Sequence, residues 1–197
     1  MAIDFIKGVN NIYPLSDELK AALAQYYEIT EVPKKTELLR AGQTCDHVYF
    51  VIEGLVRSYY LKDGEEICSR FMHEQHIVIS TNSFYTRKPG YEFIETVEPC
   101  TLAKIHYNNL QKIYREHMEF NYIARVWTEH YCSMSEERLY LLRRHNAKER
   151  YLFFLQNYPQ LVQRLPLKYI ASYLGMNLET LSRIRRQVSK ANLTKVK

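Results

Sequence analysis

The chain of 197 residues has no apolar run near the ~18–20 residues that a membrane-spanning helix requires. Its first residues, Met1-Ala2-Ile3-Asp4-Phe5-Ile6-Lys7, carry no basic start, apolar stretch or small-residue cleavage site of a secretory signal, so the expected compartment is the cytoplasm. The four cysteines, Cys45, Cys68, Cys100 and Cys132, include no pair spaced by two residues, which argues against a preorganised zinc or iron–sulfur site. They are expected to be reduced, mostly buried thiols, without metal, cofactor or disulfide framework. A nucleophile–base pairing, P-loop, H-E-x-x-H or dinucleotide fingerprint is also missing, so no enzymatic activity is expected.

Two further scarcities are local. Five of the six glycines lie in the first 90 residues, and neither glycine nor proline occurs between Pro99 and Pro159. Acidic residues almost vanish from residues 138–197, which carry 13 Lys+Arg against 2 Asp+Glu, a net charge of +11. Residues 1–137 carry 14 against 20, a net charge of −6. A basic tail behind an acidic body suits a polyanionic partner, with nucleic acid foremost. What remains is ordinary: 46% hydrophobic and 25% charged residues describe a globular protein, large enough for one large domain or a medium and a small one.

The apolar pattern changes along the chain. Leu19, Ala22, Leu23 and Tyr26 recur at helical spacing behind Ser16 and Asp17, predicting a helix over residues 16–27. From Ile29 to Ile105, short runs rich in β-branched and aromatic residues alternate with turn signals, as in Val48–Ile52, Leu55–Leu61 and Thr101–Ile105. This predicts an antiparallel sandwich or barrel, with Asp63-Gly64 as its best hairpin turn. Helices follow over about 107–116, 118–143 and 147–157. In the longest, Phe120, Ile123, Trp127, Tyr131, Met134, Arg138 and Leu141 step by three and four, the period of a two-helix seam, with Arg138 interrupting the stripe. Phe120, Ile123, Trp127, Tyr131, Met134 and Leu141 are therefore candidate dimer-interface residues. The competing reading is a helix packed on its own domain.

The segment Leu165–Val188 carries the clearest functional signal. Leu167, Ile170, Ala171 and Leu174 stripe one short helix, and Pro166 suits its first position. Leu181, Ile184 and Val188 stripe a second, with Asn177 as its cap and Gly175 at the turn between them. The pattern resembles a helix-turn-helix, whose second helix reads the major groove. Its outward residues are Leu178, Glu179, Ser182, Arg183 and Arg186. Arg183 suits guanine O6/N7 and Glu179 suits cytosine N4. Asn177, Thr180 and Lys168 are placed for phosphates.

Taken with Gly42–Val56, Ile94–Ile105 and Leu178–Ile184, this order resembles the cyclic-AMP-receptor/FNR superfamily of bacterial transcription regulators. The resemblance implies an α+β fold: a cyclic-nucleotide-binding-like sensor β-roll (double-stranded β-helix or jelly roll) over 1–116, a long dimerisation helix over 117–144, and a C-terminal winged-helix-type helix-turn-helix DNA-binding domain over 145–197. Glu179 and Arg183 match the family's base-reading Glu and Arg, while Leu178 stands where its first base-reading Arg is expected. In the sensor, the glycines of the family's nucleotide turn are missing. Ser80 and Thr81 stand where its Glu is expected, and Glu92-Phe93 stand near its Arg-Ser pair. A carboxylate facing a cyclic phosphate repels it, so the effector is expected to be something other than cyclic AMP, or none. Ser80, Thr81, Asn82, Tyr85, Glu92 and Ser135 are candidate linings of a pocket for an unknown small molecule. Arg87 and Lys88 are candidates for a different anion or simply an exposed loop. His47, His73, His76, His106 and His117 are candidate haem ligands or, more simply, surface and core histidines. The family's cysteine-based oxygen sensor does not fit, because the first cysteine is Cys45. The wing is expected to be short, with one strand at most in Ala191–Lys197.

The resulting expectation is a homodimer that binds an inverted repeat in double-stranded DNA, with RNA polymerase as a candidate partner and no membrane association. The competing expectation is a small-molecule-binding or scaffold protein whose basic tail meets another acidic partner.

Overall fold

The structure is a computed structural model that describes residues 2–10 and 13–194. The chain forms two compact units. One holds residues 1–61 and 69–131; the other holds residues 62–68 and 132–197.

The N-terminal unit is a β-roll flanked by helices. Strands β1 (Tyr27–Val32), β2 (Glu37–Leu39), β3 (His47–Glu53), β4 (Val56–Lys62), β5 (Glu65–Met72), β6 (Ile77–Val78), β7 (Phe93–Thr96) and β8 (Cys100–His106) form two four-stranded sheets. Their orders are β1-β8-β3-β6 and β2-β7-β4-β5. The central pairings β1–β8, β3–β8 and β4–β7 are antiparallel. The β-branched and aromatic runs read from the sequence thus become strands because they bury one face in a shared core. Phe50, Val51, Val56, Ile94, Leu102, Ala103 and Ile105 make up its centre. At the proposed hairpin turn, Asp63 and Gly64 both take positive φ (53° and 82°), the geometry of a tight two-residue connection. Gly54 is required more strictly: its φ is +108°, and a Cβ there would lie 2.6 Å from both the Cys100 sulfur and the Pro99 carbonyl oxygen.

Four helices complete the core of this unit. α1 (Ala2–Asn10) contributes Phe5 and Val9, and α2 (Asp17–Tyr26) contributes Leu19 and Leu23. Ser16 caps α2 by accepting from the Leu19 N–H at 3.1 Å. The short α3 (Thr81–Thr86) contributes Phe84, and α4 (Tyr107–Glu116) contributes Leu110 and Ile113. The sequence reading had no element at α1 or α3. α1 has only two deeply buried apolar side chains among its described ones, and α3 is a six-residue turn without a strong stripe.

The long helix α5 (Met118–Arg144) is shared: residues 118–131 belong to the first unit and 132–144 to the second. The compact units therefore divide inside this helix rather than at residues 116 and 144. The C-terminal unit continues with α6 (Ala147–Asn157), a 3-10 turn (Pro159–Leu161), α7 (Leu167–Tyr173) and α8 (Leu178–Thr194). Asn146 and Glu149 form a reciprocal capping box at the start of α6. The strand expected in Ala191–Lys197 is corrected: Ala191–Thr194 are the last turn of α8, and residues 195–197 lie outside the described residues. Gln187–Leu193 contains no glycine or proline to stop the helix.

Three cysteines are buried thiols, Cys132 is exposed, and none of the four is in a disulfide. No described helix is long and apolar enough to cross a membrane.

The most exacting polar feature of the β-roll is an ion pair. Arg57 on β4 is 1% exposed and stands opposite Glu95 on β7. Its Nε and Nη2 both donate to Glu95 Oε1 at 3.0 Å, and its guanidinium lies 4.1 Å from the Tyr59 ring centroid. Removing one partner leaves an uncompensated buried charge. Glu95→Ala is therefore expected to cost about 3–5 kcal/mol in urea unfolding, whereas Arg57→Met with Glu95→Leu recovers most of it. Equal destabilisation by the single and double variants would contradict this account.

Candidate functional site

The helix pair α7–α8 is built around one turn. At the end of α7, the Gly175 N–H donates to the Ser172 carbonyl (3.1 Å) and the Met176 N–H to the Ala171 carbonyl (3.0 Å). With Gly175 at φ +63°, this is the Schellman arrangement that stops a helix and redirects the chain. Asn177 then opens α8: its Oδ1 accepts from the Thr180 N–H at 2.8 Å, and its carbonyl accepts from the Leu181 N–H at 3.2 Å. Ile170, Ala171, Leu174, Leu181 and Ile184 are all buried, so the apolar stripes meet as the sequence pattern implied. Pro166 stands at the N-cap of α7, one position before the first helical residue where the sequence placed it.

Burial of Leu181 and Ile184 fixes what α8 shows to solvent. Leu178, Glu179, Arg183 and Arg186 are exposed, and Ser182 and Thr180 are half-buried. Leu178 is 47% exposed, one of several exposed leucines of the chain. Ser182, Arg185, Arg186 and Ser189 line a shallow depression of about 470 Å³ along one side of the helix. Lys168 is exposed on α7, with its ammonium 5.0 Å from the Tyr169 ring centroid. The residues singled out as DNA-reading thus stand at the surface of one helix pair.

Two other basic residues of the C-terminal unit, Arg138 and Arg150, are committed internally. Arg138 Nη1 donates to the Tyr173 carbonyl (2.9 Å) and Nη2 to the Cys68 carbonyl (3.0 Å). Its guanidinium also lies 3.9 Å from the Tyr173 ring centroid. This explains why a cation interrupts the stripe of α5. Arg150 donates to the carbonyls of His145 (3.2 Å) and Gly175 (3.3 Å), so it neutralises the end of α5 and braces the turn. Ser172 adds two bonds that sequence reasoning missed. Its Oγ donates to the Glu66 carbonyl (2.8 Å) and accepts from the Cys68 N–H (2.9 Å), so the first residues of β5 hold α7 in place.

The proposed seam on α5 is largely occupied by the chain itself. Phe120 and Ile123 are buried in the core of the N-terminal unit, and Leu141 is buried in the C-terminal unit. Trp127, Tyr131 and Met134 are half-buried. Trp127 packs near Phe50, with centroids 6.5 Å apart, and the Tyr131 ring stacks with Arg70 at 4.8 Å. The large apolar side chains that α5 leaves exposed are Met118, Tyr122, Leu139 and Tyr140. The 3–4 stepping is shared by a dimer seam and a core-facing stripe, and at Phe120, Ile123 and Leu141 the core-facing reading holds.

Within the β-roll, the candidate effector residues separate. Ser80 Oγ donates to Glu92 Oε2 at 2.7 Å, and Ser69 Oγ reaches Glu92 Oε1 at 3.4 Å. Ser69 also meets Ser58 Oγ at 2.7 Å, giving a chain of three hydroxyls around one carboxylate. The Thr81 hydroxyl is buried without a hydrogen-bond partner. Asn82 and Tyr85 are exposed on α3, and Ser135 is exposed on the part of α5 that belongs to the C-terminal unit. Arg87 is neither a loop residue free in solvent nor an available anion ligand. It donates to the Cys45 and Phe84 carbonyls (2.7 and 3.2 Å), pairs with Asp46, and stacks 3.9 Å over the Tyr107 ring. Lys88 is exposed. The histidines are dispersed: His47 and His106 form an edge-to-face cross-strand pair at 5.1 Å, and His73 and His76 meet edge to face at 4.0 Å within the turn between β5 and β6. Burial lowers the pKa of both His47 and His76. Among the described residues, no group of three or more His, Cys, Asp or Glu side chains is placed to hold a metal ion.

Comparison with known proteins agrees with this geometry. Residues 29–117 match the cyclic nucleotide-binding domain family. Over most of its length the chain is similar in structure to FixK2 from Bradyrhizobium japonicum, at 22% identity and a TM-score of 0.73, covering 84% of this chain and 86% of that one. It is also similar to CLP, the c-di-GMP-responsive global regulator of Xanthomonas campestris (17% identity, TM-score 0.72, 90% and 94% covered). A third likeness is to a Eubacterium rectale protein described as a transcriptional regulator of the Crp/Fnr family (18%, TM-score 0.70, 92% and 88%). No curated protein sequence matches the chain. The chain therefore shares the fold of these proteins: a cyclic-nucleotide-binding-type β-roll, a long helix and a C-terminal helix-turn-helix.

Ser172→Ala deletes both bonds between α7 and β5. The expected cost is about 1–3 kcal/mol, accompanied by faster hydrogen exchange of the Cys68 amide. Unchanged exchange at Cys68 would show that Ser172 does not hold this junction.

Proposed function

We propose that the chain is a transcription regulator that binds an inverted repeat in double-stranded DNA as a homodimer, and that its effector, if it uses one, is not cyclic AMP. The observation that carries this reading is the surface of α8. A helix locked to α7 through a glycine turn buries Leu181 and Ile184 while Glu179, Arg183 and Arg186 stay in solvent. Such a helix offers Arg183 and Glu179 to base edges, and Asn177, Thr180 and Lys168 to phosphates. A two-fold pair of these helices spaced about 34 Å apart reads two half-sites one turn apart. The exposed Tyr122, Leu139 and Tyr140, together with the half-buried Tyr131 and Met134, are the apolar surface that α5 has left for a second copy. RNA polymerase is the expected further partner of such a regulator.

Two features support an effector other than cyclic AMP. Glu92 places a carboxylate beside Ser80 and Ser69, where it opposes a phosphate, and Arg87 is already spent on Asp46 and two carbonyls. Calorimetry with cyclic AMP is therefore expected to show no binding, and micromolar affinity would overturn this part of the reading.

Arg183→Ala is expected to cost about 1–3 kcal/mol at the specific site, with much less effect on random DNA. Equal losses on both would make Arg183 a phosphate contact. The competing reading, a binding or scaffold protein with a basic tail for another acidic partner, predicts no sequence-selective footprint on DNA.

A further inference from the structure

The turn between β5 and β6, His73-Glu74-Gln75-His76, carries more titratable chemistry than a short connection needs. The Gln75 N–H donates to the Val51 carbonyl (2.8 Å) and the Val51 N–H to the His76 carbonyl (3.0 Å), so the turn is clamped to β3. The His76 N–H donates to the His73 carbonyl (3.0 Å). Glu74 Oε1 accepts from the Gly54 N–H (3.0 Å) at the bend between β3 and β4. Gln75 is held at φ +68°, a left-handed conformation that a residue with a Cβ keeps only where its surroundings impose it. The clamp therefore works against the local preference of its own backbone.

The His76 ring completes the clamp. Its Nδ1 lies 3.2 Å from the carbonyls of both His73 and Glu74. Carbonyls only accept, so Nδ1 carries the proton and Nε2 is the nitrogen that acid protonates. The His73 ring meets His76 edge to face at 4.0 Å, and its Nδ1 lies 3.7 Å from Glu74 Oε2. His130 of α5, in the same unit, acts on His76 through its charge. β3 and the β3–β4 bend meet the turn through backbone groups, so among the described residues the titratable groups facing His76 are His73, Glu74 and His130. Two of the three are histidines that charge over the same pH range. A second positive ring at 4.0 Å and a third from α5 oppose protonation of the half-buried His76. Burial lowers the His76 pKa most and His130 lowers it further, against the two carbonyls and the Glu74 carboxylate, which raise it.

We propose that these three imidazoles form an acid-sensitive latch that holds the β5–β6 turn on β3 when neutral and releases it when protonated. The ring takes up its proton less readily in the closed turn than in an open one. The closed turn is therefore fully favoured above about pH 6.5, the ordinary histidine value, and loses stability as the pH falls below it. The latch needs no bound small molecule and is independent of the DNA-reading function.

Amide hydrogen exchange and ring NMR on the full chain test this between about pH 7.5 and about pH 5.5. After correction for intrinsic exchange, protection of the Gln75 and Val51 amides is expected to fall about tenfold at the lower pH, while the central strand β8 keeps its protection. His76→Asn retains a side-chain N–H for the two carbonyls but cannot charge, and is expected to abolish the acid-induced loss. His130→Asn changes an exposed position and is expected to raise the His76 pKa and reduce the loss. Unchanged protection at the lower pH overturns the proposal, as does an acid-induced loss that persists in His76→Asn. Equal loss across β8 also overturns it, because the event is then global unfolding. If His76→Asn does not fold, an unmoved His76 titration in His130→Asn overturns the latch.

Discussion

The turn at Gly175 is the constraint on which the functional half of the molecule depends. Only a residue that tolerates φ of +63° allows the Met176 N–H to reach back to the Ala171 carbonyl. That closure brings the small Ala171 against the incoming α8 and seats Leu181 and Ile184 in the core. The solvent face of α8 follows by geometry, since a helix with one stripe buried has no freedom in what it presents on the other side. Arg150 braces the same turn by donating to the Gly175 carbonyl. Arg138 and Ser172 then attach α7 to the backbone of Cys68 and Glu66.

The β-roll is built from two four-stranded sheets, and residues 29–117 match the cyclic nucleotide-binding domain family. Its polar interior is self-contained: Arg57 is matched by Glu95 across two strands, and Glu92 is matched by the hydroxyls of Ser80 and Ser69. Arg87, a half-buried cation of the same unit, is likewise paired, with Asp46 and two carbonyls. The buried Thr81 hydroxyl is the exception.

Much of this was legible in the sequence, for reasons that differ between elements. The helices at about 107–116 and 147–157 were readable from the loss of glycine and proline after Tyr107 and from Pro159 beyond the second, and the Asp63-Gly64 turn because few residue pairs take positive φ. The helix-turn-helix was readable because its spacing demands a small residue, a glycine and two aliphatics together. The α5 stripe misled in part, because the period of an apolar face does not say which chain covers it. Phe120, Ile123 and Leu141 are covered by their own chain. The wing strand was expected from resemblance alone, and nothing in Gln187–Leu193 breaks a helix. Ser172 gave no local signal, since its partners are backbone groups more than a hundred residues away.

The basic tail carries one last lesson. Formal charge tallies every guanidinium alike, yet Arg138 and Arg150 have turned theirs inward onto carbonyl oxygens. Ions gathered around a nucleic acid are displaced only by cations that reach its surface. The grip of this tail on a polyanion is therefore that of its outward cations, and these two guanidiniums serve instead as internal mortar.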